Sequence, residues 1–336
     1  MNQVPDKQFP SISILVIDKE GKVVKQTPTA AFAQFVAPAK GIFKFNTNYR
    51  FLAMDSITTQ AYMLEVDTEG NLISNTPLAI QYPLCIGLAN DGSYLVQGFN
   101  QSDRATTFAK YSTSLTEAFN KKYDILETAD EFAIGHISNN GKRYPFAVGQ
   151  TSTGEYYFNG FRNFSFSLVF VSNSDQKQTR VVNGYRYSGG MNSITPIDGN
   201  TFAISRFYFG DNYINAKATL SSSAVSASTD ISGRRMLELE PDAIISASRL
   251  TVGGKKVLFF ASTTVNKQIV LYVYDEVSGS LIDSKYFGLN IPCENGALTL
   301  TSDGGLLIVG SAYIDGRFKR ICAFKLAASQ LEDMVN

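Results

Sequence analysis

The stretch Ala297-Leu-Thr-Leu-Thr-Ser-Asp303-Gly304-Gly305-Leu-Leu-Ile-Val-Gly310 sets two apolar runs on either side of an Asp-Gly-Gly turn. Apolar runs of this length broken by Asp-Gly read as two antiparallel strands joined by a hairpin. The same punctuation recurs upstream. It stands at Asn90-Asp91-Gly92, at Ser152-Thr153-Gly154, at Asp198-Gly199 and at Gly253-Gly254, each time between strand-like segments. An early copy, Ile42 to Ala53, carries Asn48 where the others carry glycine, and asparagine tolerates a left-handed turn.

A second hairpin follows each of these. It is plainest at Tyr62 to Ile73, turning at Asp67 to Gly70, and at Leu271 to Ile282, turning at Asp275 to Gly279. Weaker copies run from Phe108 to Tyr123, Leu168 to Val182 and Ala216 to Ser228. The period is roughly 50 residues, the length of a propeller blade. A four-stranded unit of that size cannot bury both of its faces alone, and stacking it between neighbours does so. A β-sandwich or β-helix would also supply many short strands, but neither explains two alternating hairpin types.

The expected fold is therefore all-β: a single β-propeller domain over residues 1–336, built of four-stranded blades. Counting hairpin pairs gives six blades, at about 41–80, 84–126, 144–185, 190–231, 242–287 and 296–328. Seven is open if 28–40 and 130–145 hold degenerate strands. The last unit stops after its third strand, while residues 12–27 are surplus to the first. Pairing this surplus with the C-terminal blade would cover two exposed edges and close the ring. Helices are expected to be nearly absent, with the tail, Ala327 to Met334, the foremost candidate.

Composition narrows the function. The 24 Phe and 17 Tyr, with no Trp, favour half-buried strands. Thirty basic residues balance thirty acidic ones, without the basic footprint of a nucleic-acid binder. No run is long enough to span a bilayer as a helix, and Ile12 to Ile17 is too short for a secretory signal. Cys85, Cys293 and Cys322 follow no zinc or redox spacing and read as buried thiols.

Catalytic signatures are sparse. The single histidine, His136, has no Gly-x-Ser-x-Gly partner and reads as a strand residue, packed or at the surface. Asp18, Asp67, Asp91, Asp198, Asp275 and Asp303 sit in turns, where they bond their own backbone, and no EF-hand-like calcium loop appears. Gly189-Gly190, Gly253-Gly254 and Gly304-Gly305 lack the Lys-Ser/Thr and helix of a phosphate loop. No cofactor and no metal is expected.

The local feature above background is aromatic and cationic. Tyr156 to Phe166 closes one unit's second strand and enters its third, and Phe202 to Tyr213 does the same in the next unit. Phe161, Arg162 and Phe164 from the first, with Arg206, Tyr208 and Tyr213 from the second, form the candidate binding set. Arg and aromatic side chains anchor interfaces because they bury large area and bond from a rigid end. The same alternation also serves to fill the space between blades.

The turn Thr301 to Gly310 and the closing strand Arg320-Ile-Cys-Ala-Phe-Lys325-Leu resemble those of the uncharacterised β-propeller lipoproteins in the envelopes of some Gram-negative bacteria. The resemblance implies an exported, lipid-anchored, non-catalytic protein of the cell envelope. The leading expectation is thus an interaction module, an accessory subunit presenting one loop face to a protein partner. A propeller enzyme of lyase or glycosidase type, with paired carboxylates at the central channel, is the alternative. A glycan or small-molecule binder is a further one.

Overall fold

The computed structural model describes residues 9–18, 21–37, 39–126, 130–138, 144–185, 188–220, 226–314 and 318–336. Among the described residues six antiparallel sheets of three or more strands follow one another along the chain, besides a two-stranded one near the N-terminus, and the architecture is all-β of the β-propeller class. In the first, Phe35–Val36 and Ile42–Phe45 both pair with Asn48–Asp55, followed by Gln60–Val66 and Leu72–Gln81. The second holds Pro83–Leu88, Tyr94–Asn100, Ala105–Tyr111 and Glu117–Asp124. The third holds Ala147–Gln150, Tyr156–Arg162, Ser165–Val171 and Gln178–Val182. Gly189–Asp198, Thr201–Tyr208, Asp211–Thr219 and the short Arg234–Arg235 make the fourth. Ser246–Val252, Lys255–Thr263, Ile269–Asp275 and Leu281–Phe287 make the fifth. The sixth has three strands, Cys293–Leu300, Leu306–Ile314 and Phe318–Leu326.

The chain divides into two compact units. The first comprises Met1–Gln150, Gly154–Ser165 and Val169–Thr179, and the second Thr151–Thr153, Phe166–Leu168 and Arg180–Asn336. In the second unit the logic of the middle strands is plain. Val257 to Thr263 is buried at every position, with Phe259 packed toward Leu306 and Ile308 of the sixth sheet and Phe260 toward Ala203 and Ile214 of the fourth. A strand covered on both faces reads as a continuous apolar run, not an alternating one. The C-terminal helix Ala328–Val335 adds Leu331, Met334 and Val335 to the core shared by the fifth and sixth sheets. In the first unit, Leu52, Met63 and Ile80 of the first sheet meet Val96 and Ala109 of the second.

The glycine turns adopt the geometry that selects glycine: Gly92 and Gly304 have φ of +79° and +78°. In the early copy the left-handed residue is Asn46, at φ +54°, two places before the asparagine that the pattern singled out. Asp67 Oδ1 accepts the N–H groups of Glu69 and Asn71, and Asp303 Oδ1 that of Gly305, so these aspartates bond their own turns. Gly310 has another reason to be glycine. A Cβ there would lie 2.2 Å from the Glu294 carbonyl oxygen of the adjacent strand. Gly310→Ala is expected to lower the urea midpoint of unfolding, and an unchanged midpoint would mean that the strands separate at no cost.

Four expectations need correction. Among the described residues the N-terminal strand Ile14–Ile17 pairs with Val23–Thr27, not with the sixth sheet, which keeps three strands. The Gly21 N–H donates to the Asp18 carbonyl, which makes this local pairing available, and Thr27 Oγ1 then bonds the Gly70 carbonyl of the first sheet at 2.8 Å. No seventh sheet arises from the described parts of 28–40 and 130–145. The former gives a 3-10 turn at Thr29–Phe32 and an extra strand for the first sheet, the latter a helix, Asp130–Ser138. His136 belongs to this helix and not to a strand. In the fourth sheet the outer strand is Arg234–Arg235, later than the hairpin expected at 216–228, part of which lies outside the described residues. No helix among the described residues is long and apolar enough to cross a membrane.

Candidate functional site

The six residues singled out by sequence fall in two groups, one in each unit. In the first unit, Phe161 is buried at the end of its strand, edge-on to Tyr144 (5.0 Å between centroids) and Phe146 (5.8 Å), and tilted against Phe132 (5.7 Å). Its role there is core packing. Arg162 is half-buried, and loss of solvent lowers the pKa of its guanidinium. Phe164 stands exposed on the hairpin tip beside Asn163, whose φ is +40°.

In the second unit, Arg206 is buried. Its Nε donates to the Ile231 carbonyl at 3.0 Å and its guanidinium lies 3.9 Å from the Tyr213 ring centroid. Burial lowers its pKa, while the nearby Tyr213 opposes that shift. The Tyr213 hydroxyl donates to Asp211 Oδ2 at 3.4 Å. Arg206 and Tyr213 thus brace one hairpin from inside. Tyr208, at the end of that hairpin's first strand, belongs to an aromatic group with Tyr185 (5.4 Å) and Phe209 (4.7 Å). Phe209 is 66% exposed and sits at φ +48°. A left-handed conformation costs a bulky residue roughly 1–2 kcal/mol. Bonds from Phe209 N–H to the Ser188 carbonyl (2.6 Å) and from Gly210 N–H to Asp242 Oδ1 (3.1 Å) hold the tip in place.

This tip is one part of a loop surface that sequence did not single out. In a four-stranded meander, the turn between second and third strands and the link to the next sheet emerge at the same end. In the second unit that end carries the turns at Phe209 and Val265, residues 183–185 and 188, the segment 236–245, and the loop 288–292. Of the twelve exposed large apolar side chains among the described residues of this unit, Tyr185, Phe209, Leu237 and Val265 lie at this end, as do Tyr286, Leu289, Ile291 and Ile314. Single exposed apolar residues are ordinary, but eight collected at one end are not. Leu237 and Leu289 are 77% and 72% exposed, far more than folding requires.

Beside Leu289 opens a cleft of about 370 Å³ lined by Glu238, Thr264, Asn266, Gln268, Tyr286 and Leu289. Glu238 is its centre. Oε1 accepts the hydroxyl of the fully buried Tyr272 at 2.5 Å, and Oε2 accepts that of Tyr286 at 2.6 Å. Burial raises the Tyr272 pKa, reinforced by the carboxylate, while the bond to Glu238 is the main reason that Tyr286 is raised. Both therefore act as hydroxyl donors. The Glu238 carbonyl receives Val265 N–H at 2.9 Å, which fixes the segment bearing the carboxylate against the hairpin turn. Nearby, Lys267 bonds Glu240 and lies 3.5 Å from Glu294, which Lys319 also approaches at 3.7 Å. No ion pair joins Glu238 to a cation among the described residues. The cleft escaped sequence reading because its residues come from separate loops and a strand end with no shared period or motif.

No known protein family and no curated protein matches this sequence. Solved structures of similar architecture include AofleA from Arthrobotrys oligospora, 11% identical with a TM-score of 0.47, covering 87% of each chain. Prolyl oligopeptidase B from Galerina marginata is 12% identical with a TM-score of 0.49; the likeness covers 89% of this chain and 43% of that one. The β-propeller domain of the Trilobed protease from Pyrococcus furiosus, described as having an open velcro topology, is 9% identical with a TM-score of 0.42 over 87% of this chain and 82% of its own. These are likenesses of fold alone.

Proposed function

We propose that this protein is a non-catalytic interaction module whose second unit presents its loop end to a protein partner. The observation that carries this reading is the gathering of exposed apolar and aromatic side chains there, around a polar cleft. Interface cores are enriched in aromatic residues with polar groups between them, and the Tyr185, Tyr208 and Phe209 group supplies rigid anchors of that kind. Arg206 and Tyr213 contribute by holding the hairpin beneath those anchors, and Phe164 offers a comparable tip in the first unit. The resemblance to envelope propeller lipoproteins points to a partner in the cell envelope, which fractionation of the host would check.

The double substitution Leu237→Ser with Leu289→Ser is expected to reduce co-purification of the native partner at least about tenfold, as loss of interface anchors does. Leu300→Ser, at the other end of the strands, should leave it unchanged. Equal retention by both variants would overturn the reading.

A further inference from the structure

We infer that the Glu238 cleft receives the cationic head of a basic side chain, lysine or arginine, carried by the bound partner. The inference rests on the reading of this loop end as the partner surface and names what the cleft selects. Its volume, about 370 Å³, lies near the lower limit of ligand pockets and suits one long side chain better than a large ligand.

The chemistry of the walls chooses which side chain. Each Glu238 oxygen accepts one tyrosine hydroxyl, and a carboxylate oxygen has a second lone pair to offer. Because both tyrosines remain protonated, the centre of the cleft holds an undivided negative charge with acceptor capacity to spare. The neighbouring cations do not neutralise it, since Lys267 and Lys319 are engaged by Glu240 and Glu294. The half-exposed ring of Tyr286 attracts a cation electrostatically, and exposed Leu289 faces the aliphatic stem that lysine and arginine both possess. The side chains of Asn266 and Gln268 offer neutral carbonyl acceptors to the remaining N–H groups of the head. An acidic or purely apolar side chain would leave Glu238 either opposed or stripped of water.

The test uses the whole protein and capped tripeptides in which a central lysine, arginine, norleucine or glutamate is flanked by leucines, titrated by calorimetry or NMR. Lysine and arginine peptides are expected to bind roughly tenfold or more tightly than the norleucine peptide, as charge-assisted bonds do. Glu238→Gln should erase that difference while leaving norleucine binding unchanged. Asn266→Asp, at an exposed position where folding is not at stake, should widen it severalfold. Equal binding of norleucine and lysine peptides overturns the inference and leaves the partner surface standing. Absence of binding by every probe overturns both.

Discussion

Lowering the pH from 6.5 to 4 is expected to remove about 3 kcal/mol of stability through one residue, His136. Burial pushes its imidazole down from 6.5 to about 3. Its Nδ1 accepts the Tyr144 N–H at 3.0 Å and its ring stands edge-on to Phe146 at 4.7 Å, so the folded state holds it neutral. The unfolded chain takes up a proton below 6.5, which the folded protein refuses until about pH 3. Stability is therefore complete above the unfolded value and falls as the pH drops toward the folded one. Each unit crossed removes about 1.4 kcal/mol. His136→Asn, which keeps an acceptor but does not titrate, should start less stable at pH 7 and show a flatter profile in urea melts from pH 7 to 4. A parallel profile would show that other groups cause the acid sensitivity. Below pH 4 a second loss follows, because hydrogen bonds hold Asp55, Asp91 and Asp303 at about 2, and protonation breaks those bonds.

Glu65→Leu is expected to cost about 3–5 kcal/mol, the usual penalty for leaving a buried charge unpaired. Arg50 Nε meets Glu65 Oε2 at 2.8 Å, and the two side chains are only 10% and 12% exposed. Arg50 also donates to the Thr113 carbonyl at 2.6 Å and lies over the Phe45 ring at 3.3 Å. Burial opposes the Glu65 charge, but bonds from Asn48 and Arg50 outweigh it and keep its pKa below the usual range. Removing the carboxylate strands the guanidinium. Converting both partners, Glu65→Leu with Arg50→Met, should recover much of the loss, since an apolar pair often matches a buried ion pair. Urea midpoints of the two variants decide it. Equal losses would mean that Arg50 is held by Thr113 and Phe45 alone.

The fold was legible where its physics is local and periodic. Turn glycines at 92 and 304 require positive φ, and middle strands such as the one holding Val257 to Ala261 carry a continuous apolar run because both faces are covered. The helix Asp130–Ser138 was not legible. Phe132, Ala133, Ile134 and Ile137 are buried on more than one side, so the segment lacks an amphipathic stripe and imitates a buried strand, with Gly135 adding to the disguise. The N-terminal strand misled differently, since an unpaired edge can be covered locally as well as by a distant sheet. At the candidate site, the hairpin carrying Tyr208 was visible as an aromatic run. Leu237, Glu238, Val265 and Leu289 were not, because single residues on separate loops acquire meaning only when folding brings them together.

If the loop end of the second unit meets a protein partner, residues there must lie within reach of it while those at the opposite end do not. The most direct measurement places a photo-crosslinking phenylalanine derivative at position 289 in the native host, with position 300 as the control at the opposite end of the strands. A discrete protein adduct is expected from position 289 and none from position 300. Adducts from position 300 alone, or the same products from both, would contradict a partner at this end.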